Sequence, residues 1–162
     1  MSWVAVLMGS KSDWPTMQST TEVLSDFGVE YEAKVTSAHR TPSQTAEYVS
    51  DAVERGCEVF ICAAGLAAHL AGAVAAKTTK PVIGVPMDGG PLSGFDALLS
   101  TVQMPGGVPV ATVAIGKAGA KNAAYLAVQV LALSNSALAE RLAEDRAESV
   151  RNVEEQNQAI QD

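Results

Sequence analysis

The chain has 162 residues, 48% hydrophobic, 18% charged and only 5% aromatic, with 27 Ala and 13 Gly. That balance excludes intrinsic disorder, which needs low hydrophobicity and high charge. The sparse charge on so short a chain points to subunits that cover one another's surface. A net charge of −7, with no dense run of Lys or Arg, excludes polymeric nucleic acid as a partner.

The length fits a single domain over residues 1–162, with a core over about 3–134. The acid is uneven. Residues 137–162 carry seven acids and three Arg, whereas Val59 to Met87 contains no acid but holds Lys77 and Lys80. Cys57 and Cys62 form no C-x-x-C pair and have no metal-ligand spacing, so no metal is expected and a reducing compartment fits them. The N-terminus lacks a basic region followed by a long apolar run, so no signal peptide is read and the cytoplasm is the expected location. The uncharged run Val59–Ala76 carries Gly65, His69 and Gly72, and reads as a strand followed by a buried helix rather than a membrane span.

In chain order, strands alternate with helices. Trp3–Met8 is a continuous apolar run ending at Gly9, the pattern of a buried parallel strand. Asp13 can cap a helix with Pro15 in its first turn, running to about Phe27 before Gly28. Glu30–Thr36 is a more polar strand, nearer an edge. A helix opens at Pro42 and ends near Arg55, before Gly56. Val59–Ala63 is the third strand, Ala67–Lys77 an Ala-rich helix, and Pro81–Val85 the fourth strand. Gly94–Gln103 reads as a short helix and Val110–Ile115 as a fifth strand. Gly119–Leu133 is a long Ala-rich helix, a candidate for subunit contact. Asn135 begins a final charged helix to about Glu155, with a fraying tail over 156–162.

This alternation means an α/β fold of three layers, an open parallel sheet covered on both faces, with an additional C-terminal helix. Ligands of such sheets bind beyond the carboxyl ends of the strands, where strand order switches. Both histidines lie there. The first strand leads into Gly9-Ser10-Lys11-Ser12-Asp13, the second into Ser37-Ala38-His39-Arg40-Thr41-Pro42, and the third into Ala64-Gly65-Leu66-Ala67-Ala68-His69-Leu70. Ser10 and Ser12 before a helix can be a simple cap or part of an anion site. Arg40 can pair with a surface acid or grip a phosphate bidentately. His39 reads as an ordinary loop residue or a functional one. His69, the only acidic or basic side chain between Val59 and Ala76, reads as a satisfied core histidine or as an imidazole acid/base in a dry pocket. No G-x-G-x-x-G, Walker A or G-x-S-x-G motif occurs.

Four motifs in order resemble the PurE family: Met8–Trp14, Ser37–Pro42, Ala67–Leu70 and Val102–Val110, with Ala118–Ala124 extending the likeness. The resemblance implies a flavodoxin-like sheet assembled into a homo-octamer. It implies a mutase of purine biosynthesis that moves a carboxylate of N5-carboxyaminoimidazole ribonucleotide from the exocyclic nitrogen to carbon 4, with no cofactor. Position by position, it implies that Ser10, Asp13 and Arg40 hold the substrate, Arg40 at the phosphate and Asp13 at the ribose, with His39 in a closing loop and His69 as general acid/base. The candidate catalytic residues are then His69 and His39. The candidate substrate-binding residues are Ser10, Ser12, Asp13, Ser37, Ala38, Arg40, Ala64, Gly65, Ala67 and Leu70. Two positions depart from the family pattern: Leu66 stands where Gly is usual, and Ala71 where Pro is usual. The alternatives are a branch of the family that carboxylates aminoimidazole ribonucleotide directly with CO₂, in which a Lys usually follows the loop His, and a flavodoxin-like binding module without catalysis.

Overall fold

A computed structural model describes residues 2–161. Five strands form one all-parallel sheet: β1 (Trp3–Met8), β2 (Tyr31–Val35), β3 (Cys57–Ala64), β4 (Val82–Pro86) and β5 (Ala111–Thr112). The spatial order is β2-β1-β3-β4-β5, the flavodoxin-like order, so strand direction of winding reverses between β1 and β3. The polar β2 is an edge strand, as its composition suggests.

The pleat sorts the apolar runs of the central strands into two cores. Val4, Val6, Met8, Val59, Ile61, Ala63, Ile83 and Val85 face one side. There they meet α1 (Trp14–Asp26) through Met17 and Leu24, and α5 (Lys117–Ala132) through Ala120, Ala124, Ala127 and Val128. Ala5, Leu7, Phe60 and Cys62 face the other side, against Tyr48, Val49 and Ala52 of α2 (Pro42–Glu54) and Leu70, Ala71 and Val74 of α3 (Leu70–Ala75). Cys57 and Cys62 are both free and lie within this second core.

The Ala-rich face of α5 is therefore packed inside the subunit. Small side chains let α5 lie close to α1, and the buried Thr20 hydroxyl donates to the Ala120 carbonyl at 2.8 Å. Gly119 is needed at the start: a Cβ there would run into the Ala114 carbonyl, a backbone group that cannot swing away. Exposed apolar side chains are grouped on α4 (Phe95–Val102), where Phe95, Leu99 and Val102 are all exposed, as is Leu92 before it.

Of the element boundaries that differ from the sequence expectation, those of β5 and α6 differ at the far end of the chain. β5 pairs over two residues rather than six. Beyond it the chain follows β4 through isolated bonds, Val113 N–H to the Gly84 carbonyl and Gly116 N–H to the Pro86 carbonyl. The last helix, α6 (Ser136–Gln161), continues past the expected end near Glu155, with no buried residue of its own. Its base is anchored on α1. Arg141 donates to the carbonyls of Phe27 at 2.7 Å and Asp26 at 2.5 Å, placing a cation at the negative end of that helix. No helix among the described residues is long and apolar enough to cross a membrane.

Candidate active site

The loops after β1, β2, β3 and β4 enclose a cavity of about 650 Å³, a size suited to a small molecule. It sits beyond the carboxyl ends of the strands, at the β1–β3 switch point. All twelve candidate residues line it.

The β1 loop forms its first wall. Ser10 caps a 3₁₀ turn (Lys11–Asp13) that precedes α1 and that the sequence reading did not anticipate. Its hydroxyl accepts from the Ser12 N–H at 3.3 Å and the Ser12 hydroxyl at 3.0 Å. Asp13 occupies the N-cap position of α1, yet its side chain makes no capping bond, contrary to the expectation of a cap. The carboxyl is left to the cavity instead. Burial raises its pKa above the ordinary carboxylate value, and a backbone hydrogen bond with Ser10 pulls it partly back.

The β2 loop is a knot of hydroxyl bonds. The Thr41 hydroxyl accepts from the Ser37 N–H at 2.9 Å, and the Ser37 hydroxyl accepts from the Arg40 N–H at 3.1 Å. Thr36 and Thr45 share a buried bond of 2.6 Å that pins the loop to α2. This leaves His39 and Arg40 at the tip. The Arg40 guanidinium donates to the Gly9 carbonyl at 3.3 Å, bringing the cation beside the hydroxyls of the first wall.

The β3 loop carries the small residues and the second histidine. His69 stands at the N-cap position of α3 and approaches His39: its Nδ1 lies 2.5 Å from His39 Nε2, with the ring planes at 85°. At that distance one nitrogen carries the hydrogen and the other accepts it, so the two rings share a single N–H between them. Neither histidine is a core residue; both are exposed, as is Arg40. The dry pocket expected around His69 is thus open on one side in the single chain.

The two departures from the family pattern separate here. Ala71 is buried against the sheet in the first turn of α3 and does not line the cavity. A first-turn N–H has no partner within the helix, so Ala in place of Pro alters no helical bond. Leu66 does line the cavity, at φ 55°, a left-handed conformation that costs a non-glycine residue roughly 1–2 kcal/mol. It also shortens α3. The helix starts at Leu70 rather than Ala67, since the chain must first leave the turn at Leu66.

Besides Leu66, six further lining residues had not been singled out as candidates: Gly9, Thr16, Met87, Asp88, Gly89 and Gly90. Those from Met87 to Gly90 follow β4, so the rule that ligands sit beyond strand ends already covered them. The Asp88 carboxylate lies beside Gly116, at the start of α5, where a helix N-terminus favours negative charge.

Comparison with known proteins agrees with this geometry. The AIR carboxylase family model matches residues 3–152. The chain is 53% identical over 157 residues to the N5-carboxyaminoimidazole ribonucleotide mutase of Bacillus subtilis (strain 168), covering 97% of each chain. It is 56% identical over 142 residues to that of Saccharolobus solfataricus, covering 88% of this chain and 89% of the relative. In structure it resembles Treponema denticola PurE, with a TM-score of 0.87 at 27% identity and 98% of both chains covered. Sequence, strand order and cavity converge: the chain belongs to the PurE, or AIR carboxylase, family.

Proposed function

We infer that this chain is an N5-carboxyaminoimidazole ribonucleotide mutase of purine biosynthesis. It moves the carboxylate from the exocyclic nitrogen to carbon 4 of the imidazole, giving 4-carboxy-5-aminoimidazole ribonucleotide. The observation that carries the reading is the His39–His69 pair, set where a hydroxyl- and arginine-lined wall meets an apolar one. The relatives that bear this activity in their names span bacteria and an archaeon.

Arg40, with the hydroxyls of Ser10 and Ser12 at the start of α1, takes the phosphate, since a guanidinium fits phosphate oxygens bidentately. Asp13, free of capping duty, accepts hydrogen bonds from the ribose hydroxyls. The heterocycle then lies along Ala64, Gly65 and Ala67, where small side chains admit a flat ring, with Ser37, Ala38 and Leu70 completing the enclosure.

The histidine pair delivers a proton to the exocyclic nitrogen as its bond to the carboxyl carbon breaks, the bonding electrons staying on nitrogen. CO₂ and aminoimidazole ribonucleotide result. Carbon 4 attacks the CO₂, a carbon–carbon bond forms, and the proton on carbon 4 returns to the pair. Every atom is conserved and one proton is borrowed and repaid, so no cofactor is required by the balance. Imidazole suits both transfers because one ring nitrogen can donate a proton while the other accepts one.

The test is turnover on each substrate. Isomerisation of N5-carboxyaminoimidazole ribonucleotide without added bicarbonate supports the mutase. Activity only on aminoimidazole ribonucleotide plus bicarbonate selects the direct carboxylase, a reading kept because the matching family model bears that name. Arg40 after His39, where that branch carries Lys, favours the mutase. The protein works in the cytoplasm as a homo-octamer on this reading. The exposed stripe Phe95, Leu99 and Val102 supports self-association, and two free, buried cysteines suit a reducing compartment. Light scattering should give a mass about eight times 16.8 kDa.

A further inference from the structure

Two non-glycine residues among those described have positive φ, Leu66 and Ser93, and only Leu66 lines the cavity. The conformation is unfavourable for a leucine, yet the side chain gains little burial for it, remaining 53% exposed. Strained backbone of this kind persists where the position of the side chain is itself useful. The isobutyl group leans across to the loop after β4, over Gly90. That residue also has positive φ, and a Cβ on it would collide with Leu66 Cδ2. A knob on the β3 loop thus fits a notch on the β4 loop, both at the cavity.

The lining is divided by polarity. Ser10, Ser12, Asp13, Ser37 and Arg40 belong to the β1 and β2 loops, whereas Ala64, Leu66, Ala67, Leu70 and Met87 belong to the β3 side and the end of β4, where Asp88, its carboxylate beside Gly116, is the one acidic exception. His69 stands on the apolar side and reaches its polar-side partner His39. On the mutase reading, on which this inference rests, the reaction passes through CO₂, a small uncharged molecule that an apolar, water-excluding wall helps retain.

We propose that Leu66, seated against Gly90, is the apolar wall that keeps released CO₂ against carbon 4, so that it is recaptured rather than lost to solvent. Its role is to partition the intermediate; proton transfer stays with the histidines.

The experiment follows unlabelled N5-carboxyaminoimidazole ribonucleotide in ¹³C-bicarbonate buffer, with breakdown in protein-free buffer subtracted. It counts two things per turnover: aminoimidazole ribonucleotide released, and ¹³C in the 4-carboxy product. Being a ratio, the result does not depend on how much of a preparation is folded. Wild type should release little and incorporate little label. Leu66→Gly removes the side chain, and Leu66→Asn keeps a similar size and tolerates positive φ while being polar. Both should raise release and label several-fold. An unchanged ratio in either variant overturns the proposal. If wild type itself consumes the substrate without forming any 4-carboxy product, the mutase reading fails first and this one with it.

Discussion

The two walls of the cavity solve different problems with different residues. The wall from β1 and β2 is built of hydroxyls, a carboxyl and a guanidinium, and nearly every one is already tied to backbone: Ser10 to Ser12, Ser37 to Arg40, Arg40 to Gly9. The wall from β3 and β4 has few polar side chains and takes its shape from backbone conformation, with positive φ at Leu66 and Gly90. On the proposed function, the first wall is a preorganised grip for the charged, hydroxyl-rich end of the substrate. The second is a close-fitting surface for a flat, weakly polar end. The histidines join them, one from each side.

Substitutions should separate the walls by what they damage. The largest effect belongs to the junction. His69→Asn should retain substrate binding but lower turnover by about 10²–10⁴-fold, the usual contribution of positioned acid–base catalysis. His39→Asn should fall in the same range if the pair acts as a unit. Near-normal kcat in the His69 variant would remove it as the proton carrier. Arg40→Ala comes next and should act on binding, raising KM by about 10–100-fold, in line with losing hydrogen bonds to a charged group. A change confined to kcat would mean Arg40 is not at the phosphate.

Asp13→Asn should weaken binding more modestly, by about tenfold, and have an opposite effect on stability. Because burial raises the pKa of Asp13 in the folded state, its ionised form at neutral pH opposes folding. That penalty disappears as pH falls through the folded-state pKa. The Asn variant should therefore have a slightly higher Tm than wild type at neutral pH, with the gap closing in acid. A lower Tm at pH 7 would show that the carboxylate supports the loop rather than waiting for a ligand. The smallest effect is expected for Ala71→Pro, which touches the body beneath the second wall. With no helical N–H bond lost, stability by denaturant titration should change by less than about 1 kcal/mol.

Much of this was legible in the amino-acid order. Apolar runs at Trp3–Met8 and Val59–Ala63 have the pattern of buried parallel strands, and the polar Glu30–Thr36 region that of an edge, as the strand order shows. The loops carrying Ser10, His39, Arg40 and His69 follow from the position of strand ends. What could not be read was mostly three-dimensional in origin. Periodicity records that α5 has a small-residue face but not whether its neighbour is the same subunit or another. An Ala- and Gly-rich context suggested a buried His69, yet a loop tip is exposed whatever its flanking residues. The 3₁₀ turn that frees Asp13 from capping, and the turn at Leu66 that delays α3, depend on contacts made only in the folded chain.

The cysteines in the second core have a practical consequence. Cys57 is pushed up to about 11 by burial, and burial raises Cys62 still further, so neither is a thiolate at neutral pH. The thiolate, not the thiol, is the nucleophile that attacks an electrophilic thiol reagent. In the native protein both sulfurs should therefore ignore a maleimide, and labelling should occur only when the α2–α3 layer lifts from the sheet. The chain thus contains its own reporter of opening on that face, one that needs no engineered probe and lies outside the cavity.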